Sequence, residues 1–78
     1  MNIVVLGTGC AKCKTLEQIT RKVVTDLNLN AVVTKEEDIT KIMSYGIMRT
    51  PGLVRDGKVI LSGRIPSESE LKELLTQK

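Results

Sequence analysis

Ile3-Val4-Val5-Leu6-Gly7-Thr8-Gly9-Cys10-Ala11-Lys12-Cys13 is the stretch on which the reading of this chain turns. Asn2 to Leu6 is a mostly β-branched apolar run, stopped by Gly7-Thr8-Gly9. A run without polar alternation predicts a strand covered on both faces, and therefore a central one. From Ala11 the period changes: Leu16, Ile19 or Thr20, Val23, Val24 and Leu27 recur at three and four residues, while Lys14, Glu17, Arg21, Lys22 and Asp26 occupy the other faces. That is an amphipathic helix ending near Asn28. Cys10 and Cys13, the only cysteines of the chain, fall where the strand becomes the helix.

Two cysteines three apart on a helical turn bring their Cα atoms within the roughly 4.4–6.8 Å that a disulfide requires, so the bond can open and close without large backbone movement. A bridge serving stability would close a long loop instead. A reducing compartment also disfavours a permanent bridge, which leaves redox catalysis, redox sensing or metal binding. At a helix entrance the orphan backbone N–H groups and the macrodipole favour a thiolate, and Lys12 and Lys14 add positive charge. Cys10 is therefore the candidate nucleophile. Cys13, one turn inside, is the candidate resolving thiol that attacks the mixed disulfide.

Beyond the first helix, residues 30–36 contain Ala31-Val32-Val33 and read as a second strand, parallel to the first through a right-handed crossover. Asp38 is the favoured N-cap of a short helix through Ser44 carrying Ile39, Ile42 and Met43, with Thr34 and Glu37 as a rival capping box. Asp56-Gly57 between Leu53-Val54-Arg55 and Lys58-Val59-Ile60-Leu61 is a hairpin signal, because both turn positions tolerate positive φ. Ser67 with Glu70 is a capping box for a last helix with an apolar stripe of Leu71, Leu74 and Leu75. The order is βαβαββα. Thr50-Pro51 precedes the hairpin, where proline marks a strand start or an edge. Tyr45, Ile47 and Met48 read as packing residues, and Gly63 as a turn or bulge that can also line a groove.

With 78 residues the chain is one domain, residues 1–78. One aromatic residue and 41% apolar content require a small core of Val, Ile, Leu and Met. The net charge of +3 is scattered, and a single aromatic offers no stacking platform, so no nucleic acid is expected. No histidine is present, which removes Ser-His and Cys-His pairs and His-containing zinc sites. Gly7-Thr8-Gly9 departs from the dinucleotide fingerprint at Lys12. Nothing approaches the ~20 residues of a membrane span, so a cytoplasmic protein with no membrane partner is expected.

The strand-Cys10-x-x-Cys13-helix opening, the βαβαββα order, the run Tyr45-Gly46-Ile47-Met48-Arg49-Thr50-Pro51, Asp56-Gly57-Lys58-Val59 and Gly63 together resemble the thioredoxin fold over the whole chain. More narrowly, Gly7 to Cys13 with Thr50-Pro51 and Gly63-Arg64-Ile65-Pro66-Ser67 is similar to the small archaeal and bacterial redox-active disulfide proteins, sometimes called glutaredoxin-like. The resemblance implies an α/β fold with a four-stranded mixed sheet of order 2-1-3-4, flanked by three helices. It implies a thiol–disulfide oxidoreductase reducing protein disulfides, with Cys10 and Cys13 as catalytic dithiol and Pro51 in a cis-proline loop facing them. There the Thr50 backbone would pair with an extended peptide. Gly9, Ala11, Lys12, Thr50, Pro51 and Gly63 are the expected substrate-binding positions. The implied partners are disulfide-containing proteins and a dithiol donor such as a thioredoxin reductase; no cofactor or metal is expected, and the chain is expected to be a monomer.

Departures from better-known relatives carry their own expectations. The Trp before the first cysteine is Gly9 here, the intervening dipeptide is Ala11-Lys12, and only Gly63-Arg64 stands where glutaredoxins bind glutathione. No carboxylate lies between Asn2 and Gly9, so the matching strand lacks the acid that relays a proton for the second thiol, and a slow Cys13 is expected. Two readings compete with the oxidoreductase. One is a Cu(I) or other soft-metal carrier, whose heavy-metal-associated domains also place Cys-x-x-Cys between a strand and a helix but run βαββαβ. The other is a non-catalytic redox-sensing binding module.

Overall fold

Residues 1–9, 11–47 and 49–76 are described by a computed structural model; Cys10, Met48, Gln77 and Lys78 lie outside the described residues. The opening apolar run forms β1 (Asn2–Leu6), followed by α1 (Ala11–Asp26), β2 (Val32–Glu36), α2 (Ile39–Ser44), β3 (Gly52–Arg55), β4 (Lys58–Ser62) and α3 (Glu68–Thr76). The sheet order is β2-β1-β3-β4, with β1 parallel to β2 and antiparallel to β3, as the resemblance implies.

β1 is covered on both sides because its alternate residues enter two separate clusters. Ile3 and Val5 pack with Leu16 and Val23 of α1, Leu53 and Leu61 of the hairpin, and Leu71 and Leu75 of α3. Leu6 joins Ile42 of α2, Ile47 and Val54 on the opposite face, with Val4 and Val59 alongside. Two helices therefore cover one face and a single short helix the other.

The hairpin turn has positive φ at both Asp56 (51°) and Gly57 (83°), the type I′ geometry that matches strand twist. Asp56 also ties the hairpin to the first strand: its Oδ1 accepts from Asn2 N–H at 2.7 Å, and its own N–H donates to Asn2 O at 2.7 Å. Between the pairs Leu53–Leu61 and Val54–Val59, Ile60 is an extra residue on β4. A bulge reverses the alternation beyond it, so Ile60 and Leu61 both serve the α1/α3 face.

α1 ends at Asp26, two residues before Asn28, because Asn28 takes a left-handed φ of 52°. Asn28 N–H donates to Thr25 O and Leu29 N–H to Val24 O, which closes the helix as a Schellman motif. At the choice between Ile19 and Thr20 the helix buries Thr20 completely; its hydroxyl donates to Leu16 O at 2.7 Å, so no lone polar group enters the core. Asp38 caps α2, accepting from Thr40 N–H at 2.9 Å. Ser67 caps α3 by accepting from Glu70 N–H at 3.1 Å. The reciprocal arm of that box is replaced, since the Glu70 carboxylate is taken by a two-pronged contact from Arg64.

The apolar face of α2 is narrower than its sequence predicts. Ile42 is buried, but Ile39 and Met43 remain 54% and 63% exposed. The second strand is also shorter than residues 30–36, beginning at Val32, whose N–H donates to Met1 O.

Candidate active site

Strand register decides which loops meet. Leu6 pairs with Gly52, and Gly52 with Ser62, so the chain just past β1, just before β3 and just after β4 emerges at one end of the sheet. Gly63 N–H donates to Pro51 O at 2.8 Å, joining two of these segments directly. The third carries Gly9 and the first turn of α1.

Gly9, Ala11 and Lys12 are exposed, Thr50 is half-buried and Pro51 is buried. The Thr50-Pro51 peptide bond is cis. Gly63 is exposed with φ of 77°, and a Cβ there would press to 3.3 Å from Arg49 Cβ. Cys10, the candidate nucleophile, and Met48, a residue read as packing, lie outside the described residues. Of the other two read that way, Ile47 is buried, whereas Tyr45 is 37% exposed.

Cys13 is 5% exposed, facing inward from the first turn of α1. Its place depends on Gly7: a Cβ at that position would collide with Cys13 Sγ and sit 2.7 Å from Cys13 Cβ. In the sequence Gly7 stops the strand and opens the motif that runs to Cys13. Its second duty is to let the backbone approach the thiol, and a glycine directly after a buried strand is the signal for such an approach.

Cys13 borders a cleft of about 360 Å³ whose other walls include Gly7, Lys14, Glu17, Lys35 and Glu37. Lys35 Nζ lies 3.8 Å from Glu17 Oε1 and 3.6 Å from Glu37 Oε1. Glu17 Oε2 accepts from Arg21 Nε at 3.1 Å and Nη2 at 3.0 Å. Of these charged residues the sequence singles out only Lys14, as positive charge near the cysteines, although Glu17 stands four after Cys13 on the same helix. On the other side of the sheet a smaller hollow, about 130 Å³, is bounded by Ile39, Ile42, Met43, Ile47, Arg49 and Thr50.

The resolved pKa shifts belong to another region. Glu68 is held below its usual value by a hydrogen bond from Lys22 and then by that ammonium's charge, and Glu70 is held low by the hydrogen bond from Arg64. Among the described residues no group of three or more His, Cys, Asp or Glu side chains could hold a metal ion. No helix among them is long and apolar enough to cross a membrane.

A family profile described as a thioredoxin domain matches residues 1–76. A thioredoxin of Methanothermobacter thermautotrophicus is 37% identical over 76 residues, covering 97% of this chain and 99% of that protein. A thioredoxin of Methanocaldococcus jannaschii is 36% identical over 71 residues, covering 91% and 81%. A protein of Archaeoglobus fulgidus described as a probable thioredoxin is 30% identical over 69 residues, covering 85% and 75%. With the β2-β1-β3-β4 sheet and its three helices already in place, matches of this extent make the chain a member of the thioredoxin-domain family.

Proposed function

We propose that the chain is a thiol–disulfide oxidoreductase that reduces disulfides of protein substrates. The Cys10 thiolate attacks one substrate sulfur, the substrate S–S bond breaks, and its other sulfur leaves as a thiolate that takes up a proton. Cys13 then gives up its proton and attacks Cys10 Sγ in the mixed disulfide. A Cys10–Cys13 bond forms, and the second substrate sulfur leaves with the electron pair and is protonated. Two electrons have passed to the substrate, and an external dithiol donor, a reductase or another protein dithiol, returns the pair to its reduced form.

The observation that carries this reading is the enclosure of Cys13 at 5% exposure within the first turn of a helix whose other early residues, Ala11 and Lys12, face solvent. A thiol so placed is denied to a bulky protein partner but stands three residues from Cys10 in sequence, which suits the intramolecular second step. The substrate-binding set is Gly9, Ala11, Lys12, Thr50, Pro51 and Gly63, with the Thr50 backbone offered to an extended segment of substrate. The names of the archaeal relatives agree with this chemistry. The helix between β2 and β3, and the helix that ends the chain, separate it from the βαββαβ order of the Cu(I) carriers.

Insulin reduction by dithiothreitol tests the proposal. The chain is expected to accelerate precipitation of the reduced insulin B chain, and Cys10→Ser to return the rate to background. No acceleration by the parent chain overturns the oxidoreductase reading and leaves the redox-sensing module.

A further inference from the structure

We infer that Glu17 is the base that receives the Cys13 proton in the resolving step, and that Lys35 positions it; the inference rests on the exchange reaction proposed above. A buried thiol becomes a nucleophile only when its proton has somewhere to go, and the segment from β1 into α1 gives the cleft beside Cys13 only Val5, Gly7, Thr8 and Gly9, with no carboxylate among them. The acceptor must come from another element.

Glu17 meets the geometric requirements. Residues four apart on a helix are neighbours, with about 5–6 Å between Cβ atoms. Helical side chains lean toward the N-terminus, which carries Glu17 back over the turn that holds Cys13. Both border the same cleft, whose volume of about 360 Å³ is enough for water to bridge a thiol and a carboxylate. The Glu17 side chain is 20% exposed, whereas that of Glu37, the other acid bordering the cleft, is 56% exposed.

The remaining charges define Glu17's orientation. Arg21, on the same helix, forks onto Oε2, which leaves Oε1 turned toward Lys35 across the gap to β2. Lys14 on α1 and Glu37 after β2 complete the charged rim, and the Cys10 thiol lies outside the described residues. In the step itself the Cys13 S–H bond breaks, directly or through water, as the proton moves to a Glu17 oxygen. The sulfur's electron pair forms the bond to Cys10, and the departing substrate thiolate is protonated from Glu17 or solvent.

Stoichiometric reaction of the reduced chain with 5,5′-dithiobis(2-nitrobenzoate) separates the steps. Attack by Cys10 releases a first thionitrobenzoate, and attack by Cys13 releases a second, both read by absorbance across a pH series. With the proton acceptor built into the cleft, the second release in the parent is expected to be flat across neutral pH. In Glu17→Gln it should fall on the order of a hundredfold at neutrality, the lower end of what a positioned base contributes. It should then climb with hydroxide toward the parent rate at alkaline pH, while the first release is unaffected. Glu17→Asp should restore the flat profile in part, and Lys35→Met should slow the second release less than Glu17→Gln.

A Glu17→Gln profile parallel to the parent's at every pH, or no slowing at all, overturns the inference while leaving the dithiol reaction intact. A parent chain that releases no thionitrobenzoate overturns both.

Discussion

The two faces of the sheet are built to different depths. On one, α1 and α3 together bury eight residues in a continuous aliphatic cluster; on the other, six-residue α2 helps enclose only Leu6, Ile42, Ile47 and Val54 and leaves Ile39 and Met43 in solvent. Cys13 is on the helix of the thick face, and Thr50 borders the apolar hollow beside α2. The contrast is one of packing: the enclosed Cys13 belongs to a helix of the deeply packed side, and the exposed apolar side chains Ile39 and Met43 lie on the sparsely covered one.

The strongest way to break this comparison is to empty both sides in turn. Leu16→Ala, fully buried in the eight-residue cluster, should cost about 3–5 kcal/mol, the upper part of the range for such truncations, because β1, the hairpin and α3 all contribute to that cluster and resist its collapse. Ile42→Ala should cost about 2–3 kcal/mol, since a single short helix can settle into the space. Urea unfolding at fixed pH measures both, and equal costs would deny that the faces differ.

Gly7→Ala sharpens the point at the site. The added methyl must displace the Cys13 side chain, a strain of about 1–3 kcal/mol for an overpacked position. The second thionitrobenzoate release should slow more than the first, because the displaced group is the resolving thiol. Slowing confined to the first release would contradict the assigned roles.

Replacing Ile39 and Met43 together by serine should shift stability by less than about 1 kcal/mol, two surface changes of about 0.5 kcal/mol each. If the open face serves substrates, the double variant should raise KM for insulin and leave reaction with the small aromatic disulfide unchanged. An unchanged KM would remove the face from recognition.

The smallest expected effect is at the start of α3. Glu68 and Glu70 sit in its first turn with carboxyls held below the usual 4.5 by Lys22 and Arg64. A carboxyl depressed by folding contributes stability that is fully present above its unfolded value and is lost as pH falls through its folded value. Acid unfolding followed below pH 5 should therefore become slightly shallower in Glu70→Gln, and added salt should erase the difference because both pairs are exposed.

What the sequence made legible follows from local rules. The apolar run to Leu6, the three-and-four period after Ala11 and the Asp56-Gly57 turn each have one physical solution, and together they carried the order βαβαββα. The sheet order 2-1-3-4 came from the thioredoxin resemblance. The bulge at Ile60 has no marker in the sequence, since the extra residue is itself an apolar strand former. The exposure of Ile39 and Met43 was equally hidden, because periodicity identifies a helix's apolar side but not how much sheet lies opposite. Glu17 was read as part of the solvated side of α1. Only the parallel pairing of β1 with β2, which brings Lys35 beside Val5, shows that this side borders a cleft.

Trapping the mixed disulfide tests the division of labour between the cysteines most directly. With Cys13→Ser and an oxidised protein substrate, mass spectrometry of the non-reduced complex should find one substrate chain joined through Cys10 and stable for lack of a resolving thiol. Cys10→Ser should yield no such adduct. An adduct through Cys13 in the Cys10→Ser chain, formed as fast as the first, would contradict the roles assigned to Cys10 and Cys13.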